Sequence, residues 1–180
     1  DLDRDGTLDI IVGKGGSLYA YNYRGTVLDN FPFNVSDGGS ILGSPSIVGI
    51  TNSSSKAIIF GTSNGHLYAI DSEGKILKGF PLQTGGILSS PAISAGYLVV
   101  ASTDSSVYFY KTASLFDTSR SYWTGYLSDK YHSNFVENKG AFSAKSTELL
   151  PPSFAYNWPN PVYDRTTNIR YYLSRSAIVK

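Results

Sequence analysis

The sequence predicts an all-β chain in which four-stranded sheets repeat and stack face to face. Three observations predict it. Leu18 and Leu67, Gly25 and Gly74, and Phe31 and Phe80 are each separated by 49 positions, and a fixed period of this length is the signature of a repeated supersecondary unit. The repeated strands are apolar on both faces: in Leu67-Tyr68-Ala69-Ile70 neither parity is polar, whereas a sheet with one face in water alternates. Finally, the strands are separated by turn residues, among them the Asn64-Gly65 step of a tight hairpin.

The elements follow in order. A first unit reads Leu8 to Gly13, then Leu18-Tyr19-Ala20-Tyr21-Asn22, then Gly25-Thr26-Val27-Leu28 and Phe31-Pro32-Phe33. A second reads Ala57-Ile58-Ile59-Phe60-Gly61, Leu67 to Asp71, Gly74-Lys75-Ile76-Leu77 and Phe80-Pro81-Leu82. Ser44-Pro45 recurs as Ser90-Pro91 after 46 positions, and a third, partial unit holds Leu98 to Ala101 and Val107 to Tyr110. With Ser-Pro opening the innermost strand, residues 44–82 make one complete unit, 8–33 the last three strands of the unit before, and 90–110 the first three of the unit after. A sandwich does not explain the period and a β-helix has shorter rungs, so the expected fold class is all-β: a partial β-propeller of about three four-stranded blades, not closed. Such an end-exposed stack is expected to meet further blades or another chain on its open faces.

The order of a Ser-Pro strand, a Gly-ended strand, a Leu-Tyr-Ala-Ile-Asp strand and a Gly-Lys-Ile-Leu strand resembles the quinoprotein-type (PQQ-like) propeller repeat over residues 6–110. Asn30-Phe31-Pro32 and Gly79-Phe80-Pro81 stand where that family has a Trp, as in propellers with integrin-type (FG-GAP) repeats. With neither Trp nor paired Cys in the blades to cover a flat quinone, a redox role is not expected.

Asp1, Asp3, Asp5 and Asp9 place carboxylates at alternating positions, with Gly6 at the turn and the Thr7 carbonyl where a backbone ligand is expected. This is the spacing of a calcium loop up to its ninth position. Val12 replaces the closing Glu and the next residues read as a strand, so the pattern resembles the calcium loop of integrin-type blades. Four carboxylates in nine residues repel unless a dication neutralises them, and hard oxygen donors favour Ca²⁺. The expected ligands are Asp1, Asp3, Asp5, Thr7 and Asp9. The alternative is a solvated Asp/Gly turn with no metal.

Residues 112–153 lose the repeat and read as an aromatic clasp and linker. Trp123, Tyr126, Asp129, His132 and Asn134 match a segment often found with such propellers; Trp123 is expected to pack under the last blade, and His66 to face solvent from a hairpin turn. In residues 154–180, Asn157-Trp158-Pro159-Asn160-Pro161 followed by Thr166-Thr167-Asn168-Ile169-Arg170-Tyr171 resembles the opening of the Ig-like C-terminal sorting domain of type IX secretion cargo. That resemblance implies export across a bacterial outer membrane, to the medium or the cell surface.

The chain has 15 basic and 14 acidic residues and no Cys. It therefore has no thiol chemistry, and it shows no basic stripe for nucleic acid and no apolar run long enough for a membrane span. No nucleophile elbow, phosphate loop or metalloprotease motif occurs. The expected function is a non-catalytic, calcium-stabilised module for an unknown protein or glycan ligand; the alternative is an accessory region of a secreted hydrolase, peptidase or polysaccharide lyase whose active site lies elsewhere.

Overall fold

The computed structural model describes residues 1–86, 88–128, 155–158 and 168–171. Asp129, His132, Asn134, the expected linker and most of the expected tail domain lie outside the described residues. The chain divides into two compact units, Asp1–Asn138 and Lys139–Lys180. In the second, β12 (Ala155–Trp158) pairs antiparallel with β13 (Asn168–Tyr171), Tyr156 opposite Arg170.

The first unit is all β among its described residues. Strands β1 (Ile10–Lys14), β2 (Ser17–Tyr21) and β3 (Phe33–Asn34) form one antiparallel sheet. Strands β4 (Ile41–Ile50), β5 (Lys56–Thr62), β6 (His66–Asp71) and β7 (Leu82–Gln83) form the central sheet. Strands β8 (Ala92–Ser94), β9 (Tyr97–Ala101) and β10 (Val107–Lys111) form the third.

The 49-residue period extends to individual hydrogen bonds. The Asn22 N–H donates to Thr26 O at 2.9 Å, and the Asp71 N–H donates to Lys75 O at 2.9 Å. Leu28 N–H to Ala20 O at 2.8 Å is matched by Leu77 N–H to Ala69 O at 2.9 Å. In both turns the side-chain oxygen caps the backbone: Asn22 Oδ1 accepts from Arg24 and Thr26 N–H, and Asp71 Oδ1 accepts from Glu73 and Lys75 N–H. Gly25 and Gly74, at φ of 78° and 76°, supply the left-handed step these turns need. The fourth strand of these two units is interrupted: a single bridge at Val27 or Ile76, a turn at Asp29-Asn30 or Lys78-Gly79 just before Phe-Pro, then two paired residues.

The central sheet is buried on both faces, as its two apolar parities require. Ile58, Phe60, Tyr68 and Ile70 face the first sheet, joined there by Leu18 and Ala20. Ala57, Ile59, Leu67 and Ala69 face the third, joined by Leu98, Val100 and Leu88. Phe60 and Tyr68 stack with ring centroids 5.5 Å apart, and Phe33 of the first sheet meets both edge-on.

The segment after β10 differs from expectation. Strand β11 (Phe116–Trp123) joins the central sheet antiparallel to β4, with Phe116 opposite Ile50 and Trp123 opposite Ile47. The start of the expected clasp is thus a fifth strand of the central sheet, where Trp123 stands opposite Ile47. The physical reason is the free edge of β4, whose unpaired backbone groups β11 satisfies. The Trp123 indole N–H donates to Ser44 Oγ at 3.1 Å, and the Ile93 N–H donates to Thr124 O at 2.8 Å, so the segment ties the second sheet to the third. The two Ser-Pro steps meet here as well: the Ser44 N–H donates to Ser90 Oγ at 2.8 Å and the Ser46 hydroxyl to Pro91 O.

Candidate functional site

The aspartate loop leads into β1, and its fold is local. Gly6 turns the chain at φ 88°, and Leu2 is buried in the same apolar cluster as Leu18 and Phe31, which anchors the loop. Asp1, Asp3 and Asp9 each bring a carboxylate oxygen within 4.8 Å of the others. The Asp9 side chain is 1% exposed. Its Oδ2 accepts from the Leu2 N–H, while its Oδ1 and the Asp1 Oδ1 are buried with no hydrogen-bond partner. A buried carboxylate oxygen without a donor is costly, and a bound cation removes that cost.

Asp5 is not part of this triad. Its Oδ1 accepts from the Thr7 hydroxyl at 2.6 Å and from the Thr7 N–H at 2.7 Å, and these two bonds hold its carboxyl below the ordinary carboxylate range. The loop therefore gathers three of the four expected carboxylates and closes the fourth on its own turn. The sequence also missed a neighbour. Lys56, which opens β5, places Nζ 3.9 Å from Asp1 Oδ2 and 5.1 Å from the Tyr122 ring centroid. Burial pushes its ammonium below the usual lysine range, partly countered by Asp9. Beside the loop opens a groove of about 480 Å³ lined by residues that include Asp3, Arg4, Asn22, Asp29 and Glu73.

A second polar cluster went unread in the sequence. His66 starts β6 and is only partly exposed, with Nδ1 2.9 Å from Asp37 Oδ2; the Asp37 side chain is 5% exposed. Asp37 also accepts from the Thr62 hydroxyl at 2.6 Å and from the Gly39 N–H at 3.0 Å. His66 thus faces the connection between the first two sheets, where the sequence placed it toward solvent. The only local signal is the Asp37-Gly38-Gly39 turn itself.

No protein-family model and no curated protein matches the chain. Among solved structures it is similar to the computationally designed Ika4 protein at 16% identity and a TM-score of 0.31, over 57% of this chain and 64% of that one. No helix among the described residues is long and apolar enough to cross a membrane.

Proposed function

We propose that the chain is a piece of a non-catalytic β-propeller module, stabilised by calcium, that presents a binding or scaffolding surface to a protein or glycan outside the cell. The observation that carries the calcium reading is the pair of buried, unpartnered oxygens, Asp1 Oδ1 and Asp9 Oδ1, beside Asp3. The hydrogen bonds repeated at 49 residues support blades, and the resemblance of the tail to a sorting domain supports export. The groove beside the loop offers a partner a mixed polar surface whose shape the ion would hold. The ion's role is structural: Asp1, Asp3 and Asp9 would hold it, and its charge would offset their mutual repulsion.

A site of Kd near ~0.1 mM in ~2 mM calcium gains roughly 1.8 kcal/mol, or roughly 4–7 °C in Tm for a chain of this size. Calorimetry in calcium and in chelator is expected to show that difference. Asp9→Asn should abolish it, and Asp5→Ala should retain most of it. Identical melts of the unaltered chain in calcium and in chelator would remove calcium from the account.

A further inference from the structure

The two outer faces of the stack are different, and each can be compared position by position with the faces buried inside. Between the first and second sheets, the first sheet contributes Ile11 opposite Ala20 and Gly13 opposite Leu18. Between the second and third, the second contributes the same residues in the same register: Ile59 opposite Ala69 and Gly61 opposite Leu67. The glycines are there for close approach. A Cβ on Gly13 would stand 2.6 Å from Ile41 Cγ2, and one on Gly61 would stand 2.5 Å from Leu88 Cβ.

The facing surface repeats too. On the third sheet it is Leu98 opposite Tyr110 and Val100 opposite Tyr108, with the two tyrosines stacked at 6.4 Å. The first sheet carries the same set on its outer side: Ile10 opposite Tyr21 and Val12 opposite Tyr19, the tyrosines stacked at 5.9 Å. Ile10 and Val12 are 59% and 43% exposed. Tyr19 holds the place of Tyr68 and Tyr108, whose hydroxyls bond to Ser36 and Gly85, themselves 49 positions apart on the connections between sheets. The outer face of β1 and β2 therefore duplicates a face that, inside this molecule, is covered by Ile, Gly, Leu and Ala.

We propose that the outer face of β1–β2 is a docking surface for one further sheet of this same repeat, presenting Ile and Gly on one strand and Leu and Ala on the next. A second copy of the chain does not supply that partner. Both its Ile-Gly-Leu-Ala faces are internal, and its one open face of that hand, on the third sheet, reads Val99 opposite Phe109 and Ala101 opposite Val107. Phe109 there projects from the position that Ala20 and Ala69 keep small. The proposal rests on the stacked-blade reading above and is independent of calcium.

The registers define the test. Leu8 and Lys56 are equivalent positions, each two residues before the matching Ile10 and Ile58, so a tandem chain of residues 1–55 continued directly by residues 8–180 places a fresh Ile11-Gly13-Leu18-Ala20 face against the second copy's β1 and β2. The tandem should melt several degrees above the 180-residue protein. Val12→Lys with Tyr19→Lys in that second copy should abolish the gain, while the same pair in the 180-residue protein shifts Tm little. A tandem whose first copy carries Ala20→Phe, imitating the third sheet, should also lose the gain. A tandem no more stable than its parent overturns the proposal, as does a gain insensitive to Ala20→Phe. So does a parent that sediments as a dimer dissolved by Val12→Lys. Chelator added to each arm reads the calcium site separately, so the two accounts fail independently.

Discussion

Asp71 and Asn22 show how one side-chain atom does the same job in two units whatever its charge. Each presents Oδ1 to the N–H groups two and four residues on, closing the turn between the third strand and the bridge that follows. Only acceptor geometry is required, so Asp71→Asn is expected to leave stability within about 0.5 kcal/mol, whereas Asp71→Ala removes two hydrogen bonds at an exposed turn and costs about 0.5–1.5 kcal/mol. Urea titration of the two variants checks this; equal stabilities would mean that solvent satisfies the turn as well. The aspartate loop marks the limit of sequence reading at this scale. Spacing shows that four carboxylates are near one another, but not which way each turns. Thr7 competes for Asp5 with two donors at 2.7 Å or less, and nothing in the pattern of aspartates encodes that competition. The His66–Asp37 contact was illegible for another reason: it joins the first residue of β6 to the connection between the first and second sheets, and no local period links them.

The sheets themselves were readable because each strand fills two interfaces at once. Period-2 alternation fails in such strands, and its failure is the signal. The fourth strand was over-read: Gly74 to Leu82 is apolar enough for a strand, yet the turn at Gly79, with φ 92°, leaves one bridge and two paired residues. Strand β11 was missed because its pairing is with β4, about 70 positions earlier, and a repeat that ends gives no hint of where the chain goes next. The close approach of neighbouring sheets is a property of this scale and can be tested there. Gly61→Val pushes a branched side chain into Leu88 Cβ, whose backbone leads into the third sheet. Overpacking of this kind costs about 1–3 kcal/mol. Among the described residues Gly125→Ala meets Ala92, at 3.7 Å, and should be close to neutral in the same melts.

On the scale of the whole molecule, the stack has a direction. Each internal interface joins a small-residue face, Ile-Gly-Leu-Ala, to a large-residue face of aliphatic and aromatic side chains, and the sum of the two fills the space between sheets. One outer face keeps the large pattern; the other, with Phe109 at 68% exposure and Tyr97 at 48%, has lost the small one. Large against large leaves too little room, and this mismatch is expected to keep copies of the chain from adding head to tail into the open filaments that heterologous contacts otherwise generate. The barrier lies in a few atoms and is reversible by substitution. Val99→Ile, Ala101→Gly, Val107→Leu and Phe109→Ala together restore the internal set on the third sheet. The quadruple variant is expected to associate end to end in sedimentation velocity, with a mean mass that rises with concentration and falls again on adding Val12→Lys. The unaltered chain should show neither behaviour through this face. If the quadruple variant stays at the parent's mass at every concentration, side-chain volume is not what sets the order of the sheets.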